Sequence, residues 1–452
     1  VLEAGEGGGE DVGGIGKMIN PTIQDPEWYP QHPEGWKMCR VKTAIESFES
    51  GVWGEDPYGD DSSTPVIRSN ELDEDGTWRV TTPALRLLSS SEKKKARLRE
   101  GDLLIVKSSG SHAHIGKTAV VTKEIEELGS CFSNFTGRIR VLPYRTNSRF
   151  LWYFLNNSPG RDQLFYYGTT TTGLINLSAT SIGVGVFAVP PFPEQQRIAA
   201  YLDASCTAID AAVAAKCRQL ETLEELRRAT LHAAFANESW PVERVKDVAT
   251  KIGSGVTPEG GAAGYLDEGI PLLRSQNVHF DGLRLDDVAF ISEETHADMA
   301  GSQLKPRDVL LNITGASIGR CTFVPDDFAE GNVNQHVCFI RVNHQLDNRF
   351  LALFLSSPMG QGQVFSSFTG ASRQGLSHKE LGLISIPLPV LTVQRDSVSK
   401  IEQHDARQNH VRKGIESQIA TLTAYRKSLI HECVTGQRRI TEADLNHVKA
   451  HG

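Results

Sequence analysis

The chain lacks most of the residue patterns that mark an enzyme, a metal protein or a secreted fold. Its seven cysteines are odd in number and form no Cys-x-x-Cys pair. That argues against a zinc ribbon and a disulfide framework, and for small buried thiols in a reducing, cytoplasmic compartment. No 18 apolar residues run together, so no membrane span is expected. The opening VLEAGEGGGEDVGGIG has no apolar core and does not read as a secretory signal. HExxH, a Rossmann glycine string with its following acid, and a nuclease carboxylate cluster are all missing, and the 14 histidines are scattered. "VPPF" at 189–192 puts Val189 where the amino-methyltransferase motif needs Asn or Asp. The net charge of −8 excludes a strongly basic nucleic-acid binder. Most of that charge, however, lies in residues 1–34, which hold seven acids and one base. The rest of the chain is nearly neutral, and segment 1–34 is expected to be an acidic, glycine-rich, disordered leader.

What the chain does have is a second copy of itself. "SRFLWYFL" at 148–155 returns as "NRFLALFL" at 348–355, and "GWKMCRVK" at 35–42 as "SWPVERVK" at 239–246. "LREGDLLIV" at 98–106 pairs with "LKPRDVLLN" at 304–312, and "RIRV" at 138–141 with "FIRV" at 339–342. "PFPEQQR" at 191–197 meets "PLPVLTVQR" at 387–395. The matches keep their order, so the protein is a tandem duplication. Each copy begins with short β-like runs broken by glycine and polar turns, followed by a helical patch, which predicts an α+β globule. A long helical stretch then follows a Pro-x-Pro stop. Ile198, Leu202, Ile209, Val213, Leu220 and Leu223 recur at helical spacing in the first copy. A heptad row through Ile401, Gln408, Ile415, Leu422 and Leu429 marks the second. Two such helices are expected to pair as an antiparallel coiled coil that separates two similar α+β domains.

Two catalytic signatures nearly appear. "GSHAHIGKT" at 110–118 is one residue too long for a Walker A loop. "GASIG" at 315–319 fits a nucleophile elbow but runs into a β-like segment instead of a helix. The two occupy the same position in the two copies, with Lys117 aligned to Arg320, so a shared turn between strands accounts for both. No catalytic residue and no metal site are expected.

Together, "EGWKMCRVK", "SWPVERVKDVATKIGSGVTP", "FPEQQRIAAYLD" and "LIHECVTG" resemble the specificity (S) subunits of type I restriction–modification enzymes, over residues 27–437. The resemblance implies target-recognition domains at 35–190 and 239–388, a central helix at 191–238, a second helix at 389–437 and a tail at 438–452. It implies a non-catalytic subunit that reads a bipartite, asymmetric site on double-stranded DNA. The helices would dock methyltransferase (M) and restriction/translocase (R) subunits. S-adenosylmethionine, ATP and Mg would be bound by those partners and not by this chain, with no part for a membrane. "PVLTVQRD" departs from "PEQQR" in lacking the Glu-Gln, so a role for Glu194 need not repeat. Candidate DNA contacts at strand turns are Arg68, Lys107, His112, His114 and Lys117 in the first copy. In the second they are Arg274, Gln276, Asn312, Arg320 and Arg373, since Arg suits guanine, and Asn or Gln adenine. Two rival readings remain: a protein-binding scaffold of two globules on a coiled-coil spacer, and a nucleotide-binding enzyme using the Gly110–Thr118 loop.

Overall fold

The computed structural model describes residues 28, 32–58, 63–73, 75–80, 82–171, 173–258, 261–368 and 375–451. The chain forms two compact units, one from the residues up to Ala214 with those from Ala420 onward, the other from Ala215 to Ile419. Of the expected leader only Trp28, His32, Pro33 and Glu34 are described; the rest lies outside the described residues.

In unit 1 the central sheet is antiparallel, in the order Ile45–Ser50, Thr136–Val141, Leu103–Val106, Thr118–Val120. "LLIV" at 103–106 is apolar at every position because the strand is buried on both faces. Leu103 and Ile105 point into one core with the helix Ser148–Asn156, while Leu104 and Val106 point into another with Val66 and Ile67. A second sheet places Thr64–Ile67 between Ala84–Arg86 and Cys131–Phe132, the latter pairing in parallel.

Unit 2 repeats this plan. Its central sheet runs Ala249–Ser254, Val337–Val342, Val309–Asn312, Cys321–Phe323, and its second sheet holds Ile270–Leu273 between Ala289–Ile291 and Asn332–Val333. Even the irregularities recur: the first strand of each central sheet slips register at Ile45/Ser47 in one unit and Ala249/Lys251 in the other.

The repeated "RFL" phrase is a helix buried nearly all round, a pattern that only a core position tolerates. Asn147 caps it in unit 1, its Oδ1 accepting from the Phe150 amide at 3.0 Å. Asp347 does the same in unit 2 for Arg349 and Phe350.

Three further devices appear twice. Gln163 exchanges two bonds with the Val186 backbone (2.8 and 2.6 Å), as Gln363 does with Ser385 (2.9 and 2.8 Å). Asp102 holds Arg140 in a bidentate pair at 2.8 Å, as Asp308 holds Arg341 at 2.7–2.8 Å. The third is a glutamine in the first turn of each long helix, Gln195 in "EQQR" and Gln394 in "TVQR". Gln195 Oε1 accepts from the Asn147 amide at 2.9 Å, and its amide donates to the carbonyls of Arg145 and Pro190. Gln394 serves Asp347, Gln345 and Pro389 in the same way.

The long helices span Phe192–Phe235 and Leu391–Thr435. In unit 1 Ile198, Leu202 and Ile209 share a core with Leu429, Val213 and Leu422 pack against it, and Arg426 pairs with Asp210 at 3.0 Å. In unit 2 Glu224 pairs with Arg412 and Arg227 with Asp405, so partners run in opposite directions along the two helices. There Ile401 joins the core, Ile415 is buried, and Leu220 and Leu223 are half-buried.

Two features extend the reading of the sequence. An 18-residue window of the first helix reaches mean hydropathy 1.3, enough by length and composition to cross a membrane. Within the same helix, Ile198 and Leu202 are fully buried in the unit 1 core. The described part of the tail, 438–451, is structured. It folds into a helix, Glu442–His451, with Ile440 and Leu445 buried in the unit 1 core. This explains why Glu194 has no counterpart. It accepts from Trp36 Nε1 at 3.4 Å and pairs with Arg439 at 2.9 Å, tying the start of the first copy to the segment after the second.

Candidate nucleic-acid interface

The two near-catalytic loops are turns between antiparallel strands. Gly110–Thr118 leads from Leu103–Val106 back into Thr118–Val120, not into a helix, so no helix N-terminus faces a phosphate there. Its counterpart passes through a short 3-10 turn, Gly315–Ser317, into the strand Cys321–Phe323, and Ser317 Oγ accepts from Asn312 Nδ2 at 3.1 Å. The two copies align hydrogen bond for hydrogen bond. The Gly116 amide donates to Val106 as that of Gly319 does to Asn312, with Gly116 and Gly319 both at positive φ, which glycine adopts freely. Between these anchors the turn is ten residues long in unit 1 (107–116) and seven in unit 2 (313–319).

In unit 1 the turn presents His112 and His114 to solvent, with Lys107 half-buried at its base. The His112 ring lies 4.0 Å from that of Phe165, and Arg161 Nη2 donates to the His112 and Ala113 carbonyls at 3.4 and 3.1 Å. Arg161, Phe165 and Tyr166 were missed by sequence reasoning; the run "RDQLFYY" showed aromatic residues near a base, but not that its helix packs beside this turn. The hairpin Thr169–Thr171 and Leu174–Asn176 continues the surface, joined to the base of the turn by Ser108–Ser109.

Lys117 does not sit on the turn's tip. It is buried, its ammonium donating to the Leu72 carbonyl, because the strand that it opens is covered by the second sheet. Asn312 is likewise fully buried, bridging Ser275 O at 2.7 Å and Ser317. Both side chains are committed to the fold, which corrects their placement as exposed contacts.

Arg68 and Arg274 occupy equivalent positions and do equivalent work. Each opens a 3-10 turn whose third residue, Glu71 or Asn277, accepts from the arginine amide. Each guanidinium then donates to a carbonyl across the loop, Thr82 or Asp287, at 3.2 Å. Gln276 donates to the Asp287 carboxylate at 2.6 Å. Arg320 is half-buried at the wall of a cavity of about 830 Å³, which also meets Arg349 and Asp405 within unit 2. Arg373 lies outside the described residues; just beyond it, the Leu376 amide donates to Ile313, as Leu177 donates to Lys107 in unit 1.

Among the described residues no cluster of side chains suits a metal ion. Burial pushes the Cys321 and Cys338 thiols upward, Cys338 to about 12, which keeps them protonated.

The sequence model of the type I restriction modification DNA specificity domain matches this chain twice, over residues 33–221 and 237–421. The chain is 23% identical over 428 residues to the EcoKI specificity subunit of Escherichia coli K12, covering 90% of this chain and 89% of that protein. It is 24% identical over 330 residues to the EcoBI specificity subunit of Escherichia coli, covering 66% and 68%. Among solved structures it is similar to a chain from work on complex assembly and conformational transition of the type I R-M system. That match has a TM-score of 0.72 at 18% identity and covers 89% of this chain and 98% of the other. It is also similar to the HsdS subunit of Thermoanaerobacter tengcongensis, with a TM-score of 0.52 at 17% identity, covering 90% and 98%. These two structures share the fold.

Proposed function

This chain belongs to the type I restriction–modification DNA specificity family, and we propose that each of its two units reads one half of a bipartite, asymmetric target on double-stranded DNA. The observation that carries this is one scaffold built twice with different turns. Gln163/Gln363, Gln195/Gln394 and the Asp102–Arg140/Asp308–Arg341 pairs hold the frame constant. The turns on that frame differ in length and chemistry, Ser-His-Ala-His at 111–114 against Thr-Gly-Ala-Ser at 314–317. Equal frames with unequal readers fit two unlike half-sites, and joining both on one chain makes the second contact intramolecular.

His112 and His114, with Lys107 behind them, are the proposed base-edge contacts of unit 1, and Arg320 with Arg373 those of unit 2. Arg68, Arg274 and Gln276 brace the loops beside them. Methylation and cleavage belong to M and R subunits in this reading, with S-adenosylmethionine, ATP and Mg bound there. The long helices are the docking elements, and the complex works in the cytoplasm.

The test is methylome sequencing of the host with and without the gene. Loss of N6-methyladenine at one split, asymmetric motif is the expected outcome. An unchanged methylome while the partner methyltransferase is expressed would refute the reading.

A further inference from the structure

The near-neutral charge of the body conceals a strong local imbalance. Residues 89–102 carry five bases and three acids, whereas the equivalent 292–308 carry two bases and four acids. The short helix Ser90–Ala96 reads SSEKKKA; its counterpart Glu293–Asp298 reads EETHAD. Glu92 caps the helix, its carboxylate accepting from the Ser89 amide at 2.8 Å, and three lysines follow it directly.

These bases surround a cleft in unit 1. Lys93, Lys94, Arg97, Arg99, Arg138 and Arg140 line a cavity of about 500 Å³. Lys94, Arg97 and Arg99 are exposed at its rim. Arg138 forms its floor at 6% exposure. Its Nη1 donates to the Arg97 carbonyl at 2.7 Å, but its Nε has no hydrogen-bond acceptor. The carboxylate nearest to it, Asp102 at 3.9 Å, already receives two bonds from Arg140 and one from the Arg99 amide. Arg138 thus shares its one carboxylate within 4 Å with Arg140, and a cleft lined by six basic side chains and no carboxylate is an arrangement that an anion completes.

The fold itself does not require these charges. Unit 2 keeps the Asp308–Arg341 pair but replaces Arg138 with Phe339, in the same register opposite Leu310 as Arg138 is opposite Leu104. The duplicated frame therefore stands without the cleft's cations, which are particular to the first copy.

Resting on the function proposed above, we propose that this cleft seats a backbone phosphate of the bound DNA, so that unit 1 supplies a sequence-independent grip that unit 2 lacks at the equivalent place. The geometry is compatible with base reading by the same unit. Asp102 lies at the start of the strand Leu103–Val106, and Lys107 at its end opens the turn bearing His112 and His114. At about 3.4 Å per residue the two ends are roughly 15–17 Å apart, within the ~34 Å of one duplex turn.

The experiment uses the complex with its M subunits, comparing wild type with Lys94→Gln/Arg97→Gln/Arg99→Gln. These are exposed positions; Arg138 is left intact because its loss endangers folding. Binding to a cognate and a non-cognate duplex is measured by fluorescence anisotropy across a salt series. The variant is expected to lose affinity by the same factor on both duplexes, and the slope of log K against log salt should become shallower by about 1 for each phosphate no longer neutralised. Its methylated motif should be unchanged. Unaltered affinity and slope would overturn the phosphate seat; continued methylation of the split motif in that same complex would show that the recognition reading stands. Affinity lost on the cognate duplex alone would overturn it in favour of base contact. A rise in melting temperature with inorganic phosphate that the substitutions abolish, with DNA binding unaffected, would assign the cleft to a free anion and overturn the DNA seat.

Discussion

Replacing Gln394 with alanine tests whether the glutamine at the start of each long helix, Gln195 and Gln394, survives duplication for a structural reason. Gln394 is fully buried where the second long helix leaves the globule of unit 2. Its Oε1 accepts from the Asp347 amide at 2.8 Å, and its Nε2 donates to the carbonyls of Gln345 and Pro389 at 2.9 and 2.7 Å. Alanine leaves one buried donor and two carbonyls without their partner. An orphaned buried donor costs about 1–3 kcal/mol, carbonyls somewhat less, so a loss near 3 kcal/mol is expected. At 1.4 kcal/mol per decade this is roughly a 100-fold loss of amide protection. Hydrogen exchange followed by mass spectrometry can locate the loss: peptides around 339–356 and 391–401 should lose protection in Gln394→Ala. Gln195→Ala should do the same around 138–156 and 192–202. A change below about threefold in the peptides of the mutated unit would refute the idea that this clamp, and not ancestry alone, preserves the glutamine.

Further outcomes follow from other parts of the structure. Cutting the chain after Gln437 removes Ile440 and Leu445 from the unit 1 core and the Arg439 partner of Glu194; at about 1.5–3 kcal/mol per buried aliphatic side chain, urea unfolding should register a loss of roughly 3–6 kcal/mol. In the native protein at pH 8 a thiol reagent should titrate exposed Cys217 first and half-buried Cys39 more slowly, and the five buried cysteines only after unfolding. Burial pushes the Cys338 and Cys433 thiols up to about 12, whereas unfolded thiols ionise near 9. The unfolded state therefore sheds protons first, and stability present below pH 9 should fall as pH rises from 9 towards 12, measurable by thermal melts; a flat profile would contradict it. His112→Ala/His114→Ala should alter the methylated motif in one half only, while changes at 314–317 should alter the other half.

The duplication, the α+β class and the long helices could be read from the amino acids alone, because each depends on local or periodic information. Six consecutive buried residues in "FLWYFL", the apolar "LLIV", and seven-residue spacing from Ile401 to Leu429 signal their own environments. That the two near-catalytic loops are one shared turn between strands could also be read in advance, since the two copies cross-check each other. Tertiary structure decided the rest, because burial of a polar side chain depends on groups distant in sequence. Lys117 looked like a turn tip until the Leu72 carbonyl, 45 residues away, was placed against it. Asn312 looked like an adenine reader until Ser275, 37 residues away, claimed its amide. The segment after 437 is too short to signal a core role, and acquires one only because Trp36, Glu194 and Arg439 converge. The cationic cleft was spelled out as "KKKARLR", but averaged away in the net charge. Only the fold brought those bases around Arg138, four strands and a helix from where the sequence wrote them.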